Sequence, residues 1–144
     1  MKFWDTSALL PLVVSEPETA TAERWLREDP AVVVWTLTRV ELLSALARRR
    51  RDEPRSARAL AAARREVLRA WERWTEIAGV DAVRRHAERL VETHPLRAAD
   101  ALQIAAAIVA AEERPDTLAF VSFDDRQLAA AEIEGFQVVR AGRS

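Results

Sequence analysis

The chain alternates short apolar runs with longer segments in which apolar residues recur every three or four positions, the pattern of strands and helices taken in turn. Lys2 to Trp4 reads as a short strand that runs directly into Asp5, and Thr6 and Ser7 open a helix over Ala8 to Val13. Ser15-Glu16-Pro17 has the form of a helix start, and Ala22, Trp25 and Leu26 keep helical spacing until Asp29-Pro30. Ala31 to Trp35 is continuous and largely β-branched, as in a strand covered on both faces. A helix is predicted from Arg39 to Arg50, broken at Pro54, and a second from Arg55 to Trp74. Trp74 to Ala78 is a third strand, and Asp81 caps a helix through Val91 that ends at His94-Pro95. Ala98 to Ala111 is the most apolar helix. Leu118 to Ser122 is a fourth strand, Asp125 to Glu132 a short helix with Gly135 as its cap, and Phe136 to Val139 a last strand.

This alternation predicts an α/β fold: three layers, α/β/α, around a central parallel sheet, with residues 1–144 as one domain. In such sheets ligands gather beyond the carboxyl ends of the strands, near the point where strand order reverses. Four acids stand where one predicted element passes into the next: Asp5, Glu41, Asp100 and Asp124, the last followed by Asp125. Asp5 and Asp124 should share that crevice, and Glu41 and Asp100 reach it if their helices start on the same edge.

Composition narrows the chemistry. There is no cysteine, which removes disulfides, thiolate nucleophiles and Cys-type zinc sites and leaves oxygen as the available ligand. The start of the chain lacks the features of a signal peptide, and no run approaches the roughly 18 apolar residues of a membrane span, so the expectation is a cytoplasmic protein with no membrane partner. The three glycines, Gly79, Gly135 and Gly142, form no phosphate-binding cluster. Ser7 stands where a haloacid-dehalogenase-type phosphatase needs a second Asp, and the only lysine, Lys2, is misplaced for a phospho-accepting receiver.

Net charge is −1, so nucleic-acid binding requires a local patch. The arginines crowd into 48–51, 55, 58, 64, 65, 69 and 73, which reads either as a solvated face or as a surface for RNA or a protein. Arg97 and Arg126, beside two of the acids, are candidates for a phosphate contact because guanidinium binds phosphate bidentately. Trp71 and Trp74 fit core or dimer packing. His86 has no evident partner, and neither it nor His94 is needed at an acidic site.

Each acid also has a structural reading. Thr38-x-x-Glu41 and Ser122-x-x-Asp125 match capping boxes, Asp5 fits an N-cap, and Asp100 fits a first-turn acid that favours the helix dipole. Capping alone does not require acids at two strand ends and at the entry to an apolar helix. Packed together, the carboxylates repel, which raises pKa values and costs stability unless a hard cation neutralises them.

The segments MKFWDTSALL, TRVELLSAL, LRAADALQIAAA and FVSFDDRQLAAAEIEGFQVV, in this order over nearly the whole chain, resemble the PIN-domain family, most closely the VapC-type toxins of toxin–antitoxin pairs. The resemblance implies a PIN-like fold and an endoribonuclease using Mg²⁺ or Mn²⁺. Asp5, Glu41, Asp100 and Asp124 would be the acidic set, and Thr6, Ser7 and Ser122 the hydroxyls that orient ligands or water. Asp5, Asp100 and Asp124 would be the principal metal ligands, with Glu41 a ligand or the group that positions water. The doublet leaves Asp124 or Asp125 as the fourth acid, with Asp125 fitting the helix start. The family further implies an RNA substrate, a cognate VapB-like antitoxin and a homodimer. The alternative is a catalytically inactive PIN-like module that binds RNA or protein.

Overall fold

The computed structural model describes residues 1–142. Five strands, β1 (Lys2–Trp4), β2 (Val32–Trp35), β3 (Thr75–Ile77), β4 (Ala119–Val121) and β5 (Gln137–Val139), form one sheet in the order β3-β2-β1-β4-β5. Every neighbouring pair is parallel. The helices are α1 (Thr6–Val13), α2 (Thr19–Glu28), α3 (Thr38–Asp52), α4 (Ala57–Trp71), α5 (Val80–Thr93), α6 (Ala98–Ala110) and α7 (Asp125–Ile133).

Two cores lie on opposite faces of the sheet. Phe3, Val33, Trp35 and Phe120 pack against α5, α6 and α7, while Trp4, Val32, Val34 and Val121 pack against α1 to α4. Successive strand residues point to opposite faces, so a strand sandwiched between helix layers must be apolar at every position. The run Val32–Trp35 meets that demand and is buried throughout. The result is the three-layer α/β/α arrangement. α6 is fully covered over much of its length, and its run Ala105-Ala106-Ala107 keeps the backbone close to its neighbours.

Three local expectations change. α2 begins at Thr19, after Pro17, because the Thr19 hydroxyl donates to the Pro11 carbonyl at 2.7 Å and accepts from the Glu16 N–H at 2.9 Å, which pins residues 14–18 as a turn. Asp81 does not cap α5; the N-cap is Gly79, and Asp81 sits exposed in the first turn. A short 3₁₀ turn, Pro54–Ser56, precedes α4, which ends at Trp71 rather than Trp74.

Strand order reverses between β1 and β4. β1 leads through its helices to β2 and β3 on one side, whereas β4 and β5 lie on the other. In open α/β sheets ligands gather beyond the carboxyl ends of the strands at such a reversal point. Residues 5–7 and 122–124 are the chain segments nearest to it.

Candidate active site

Asp5 follows the last residue of β1 and is the N-cap of α1, accepting the Ala8 N–H at 3.3 Å. The same carboxylate accepts the Ser7 hydroxyl at 2.8 Å and the Ser122 hydroxyl at 3.1 Å. Ser7 Oγ in turn accepts the Phe123 N–H at 2.9 Å, and Ser122 Oγ accepts the Asp124 N–H at 2.9 Å. Two serines thus tie the end of β1 to the end of β4 around one acid. Asp5 is only 4% exposed. Burial pushes its carboxyl up to about 7; hydrogen bonds from Ser7, Ser122 and Ala8 hold it back, and the charge of Asp124 adds to the rise.

Glu41 lies half-buried in the first turn of α3. One carboxylate oxygen accepts the Thr6 hydroxyl at 3.1 Å and the other the Gln103 side-chain N–H at 3.0 Å. The capping-box reading of Thr38 and Glu41 is therefore wrong. Thr38 is fully buried inside the helix start, where its hydroxyl meets Gln103 at 2.8 Å, and the N-cap is Leu37. Burial raises the pKa of Glu41, and the charge of Asp100 acts in the same direction.

Asp100 occupies the first turn of α6, half-buried, with its pKa raised by burial and then by Asp124. The charges of Arg97 and Arg126 partly offset that rise, which places both guanidinium groups, exposed to solvent, in the electrostatic surroundings of this acid. Asp124 is the N-cap of α7, and its Oδ1 accepts the N–H groups of Arg126 at 3.0 Å and Gln127 at 3.3 Å. Asp125 stands at the helix start as expected, as the exposed first residue of α7 and the acid of its first turn, while the cap itself belongs to Asp124. Ser122 and Asp125 likewise form no capping box.

The acids are linked in sequence, Asp124 acting on both Asp5 and Asp100, and Asp100 on Glu41. Among the described residues, no three His, Asp or Glu side chains form a ready-made metal cage. A groove of about 510 Å³ adjoins this edge, lined by Thr6, Glu41, Leu37, Val40, Arg48 and Leu102 among others. A larger one, about 660 Å³, is lined by Lys2, Arg24 and Gln137 and contains none of the four acids.

Two buried glutamines escaped the sequence analysis. Gln103 bonds to Thr6, Thr38 and Glu41, while Gln127 donates to the Asp100 carbonyl at 3.2 Å and lies 3.4 Å from Ser122 Oγ. The available signal was an amide within the apolar α6, three positions after Asp100 and hence on the same helix face. His86, without an evident partner in sequence, lies 3.1 Å from Glu113. His94 is buried against Glu134 at 2.7 Å, and Arg89 holds the same carboxylate at 2.6 Å. Trp71 is buried and packs edge-on to Trp74.

A family model of the PIN domain matches residues 2–133. The chain belongs to the PIN-domain family. No curated protein sequence matches it at a significant level. Solved structures share the fold: a chain of a toxin–antitoxin complex from Klebsiella pneumoniae has a TM-score of 0.61 at 19% identity, covering 96% of this chain and 96% of that chain. A Pyrobaculum aerophilum protein has a TM-score of 0.64 at 21% identity, covering 96% and 87%. The toxin VapC20 of Mycobacterium tuberculosis, described as cleaving the sarcin–ricin loop, has a TM-score of 0.66 at 23% identity, covering 94% and 96%. All four acids, Asp5, Glu41, Asp100 and Asp124, fall within the matched span. No helix among the described residues is long and apolar enough to cross a membrane.

Proposed function

We propose that this PIN domain is a metal-dependent endoribonuclease of the VapC type, hydrolysing RNA phosphodiester bonds at Asp5, Glu41, Asp100 and Asp124 and restrained by a VapB-like antitoxin. The observation that carries the reading is Asp5, a buried carboxyl raised to about 7 at the strand-order reversal, with two hydroxyls, one N–H and a second acid as its named neighbours. Nothing in that set neutralises it, and an all-oxygen environment suits Mg²⁺ or Mn²⁺. The neighbours described as a toxin–antitoxin complex and as a toxin that cleaves the sarcin–ricin loop support the biological class.

In this reading Asp5, Asp100 and Asp124 hold the cation, directly or through water. Capping occupies Oδ1 of Asp124 and leaves Oδ2 for that role. Bound Mg²⁺ or Mn²⁺ would supply water activation and charge stabilisation for phosphodiester hydrolysis. Ser7 and Ser122 fix the orientation of Asp5, and Thr6 fixes one oxygen of Glu41, which acts as a further ligand or positions the attacking water. Arg97 and Arg126 contact the substrate phosphate. A homodimer and a cytoplasmic setting belong to the same proposal.

The test is cleavage of mixed structured RNAs by the purified chain, with Mg²⁺, Mn²⁺ or chelator. Wild type cleaves only with metal, and Asp5→Asn, which preserves shape and the cap, does not cleave. Equal metal-dependent cleavage by Asp5→Asn removes Asp5 from the site. Binding of RNA without cleavage under any metal condition favours the inactive PIN-like module.

A further inference from the structure

We propose that Gln103 is a positioning residue of the nuclease site, orienting both oxygens of the Glu41 carboxylate through a single buried amide; the role rests on the nuclease reading above. Gln103 is 2% exposed in the apolar helix α6. Its Nε2 lies 2.8 Å from Thr38 Oγ1, 3.0 Å from Glu41 Oε1 and 3.1 Å from Thr6 Oγ1. Thr6 passes its own hydroxyl hydrogen to Glu41 Oε2 at 3.1 Å. The amide nitrogen carries two hydrogens for these three oxygens; with one on Glu41 Oε1 and the other shared between the two threonine hydroxyls, it holds one carboxylate oxygen directly and the other through Thr6.

The opposite end of the amide distinguishes this role from packing. Gln103 Oε1 is buried with no hydrogen-bond partner. A residue present only to fill space between α6, α3 and the end of β1 would be served by Leu or Met, with no orphaned acceptor. Rotating the amide would offer Oε1 the hydroxyl of Thr38, but would take the N–H away from Glu41 Oε1 and turn the amide's lone pairs toward that oxygen at about 3.0 Å. Glu41 therefore fixes the orientation that leaves Oε1 unpartnered. Glu41 itself is only half-buried and lines the groove of about 510 Å³.

The experiment is a double-mutant cycle on Gln103→Leu and Glu41→Gln, reading kcat, KM, Mn²⁺ affinity by electron paramagnetic resonance, and thermal midpoint without metal. Gln103→Leu is expected to melt within a few degrees of wild type yet to lose about 10- to 100-fold in kcat or Mn²⁺ affinity with KM for RNA unchanged, as for groups that orient a ligand. Adding Glu41→Gln should cost little more than Glu41→Gln alone. Fully multiplicative losses, or wild-type kcat and Mn²⁺ affinity in Gln103→Leu, overturn the positioning role while leaving the nuclease reading intact. A wild type that neither cleaves RNA nor binds Mn²⁺ overturns both. Should Gln103→Leu fail to fold, Thr38→Val, which removes only the closest anchor of the amide, carries the same cycle.

Discussion

At the scale of single residues, Asp5 sets the strongest constraint. Its carboxyl titrates at about 7 in the fold against 3.8 when unperturbed, with burial as the main cause. A group whose folded pKa is raised contributes stability that is fully present below the unfolded pKa and is lost as pH climbs through the folded one. A rise of this size corresponds to roughly 4 kcal/mol lost between about pH 4 and pH 8. Glu41 and Asp100 shift in the same direction and add to the trend. Asn caps a helix as well as Asp and cannot ionise. Urea unfolding in chelator should therefore show Asp5→Asn gaining on wild type as pH rises across that window. A stability difference that stays flat with pH would mean that Asp5 is solvated and unstrained.

At the scale of the element, the start of α7 carries two functions on one side chain. Asp124 Oδ1 caps the helix, and the charge of the same residue acts on Asp5 and Asp100. Asp124→Asn should keep the cap and abolish cleavage. Asp124→Ala should lose the cap as well, at about 0.5 to 2 kcal/mol. Asp125→Asn, on an exposed side chain that makes no cap, should leave both rate and melting temperature near wild type. Cleavage assays with parallel thermal melts on the three variants check this, and an inactive Asp125→Asn beside an active Asp124→Asn would move the fourth acid by one residue. α3 shows the same economy: Glu41 reads as a capping residue in sequence but is held by Thr6 and Gln103.

At the scale of the whole molecule, the sheet order decides where the acids meet. β1 and β4 are neighbours although residues 5–118 separate them in the chain, and they bring Asp5 beside Ser122 and Asp124. Helices on both faces then deliver Glu41 and Asp100 to the same edge. Because folding assembles the acids, a cation that binds the assembled site should stabilise the fold, by about 2.7 kcal/mol at a hundred times its Kd. Titrating Mg²⁺ or Mn²⁺ should raise the melting temperature of wild type and raise that of Asp5→Asn less. Identical shifts in both proteins would place the binding cation elsewhere.

The apolar periodicity by itself determined five strands, the parallel α/β class and the two-sided burial of Val32–Trp35, because a side chain's face follows directly from position along a strand or helix. It also marked Asp5, Glu41, Asp100 and Asp124 as acids out of place at element ends. Partners were beyond its reach. Thr38 and Glu41 have the spacing of a capping box, and only burial of Thr38 against α6 shows that its hydroxyl goes to Gln103. Gln103 and Glu41 stand 62 residues apart, Thr6 and Gln103 97, and Ser122 and Asp5 117. Local pattern encodes which face is buried; which polar atom waits on the other side of the interface is set by the packing of separate elements, and that only the tertiary structure decided.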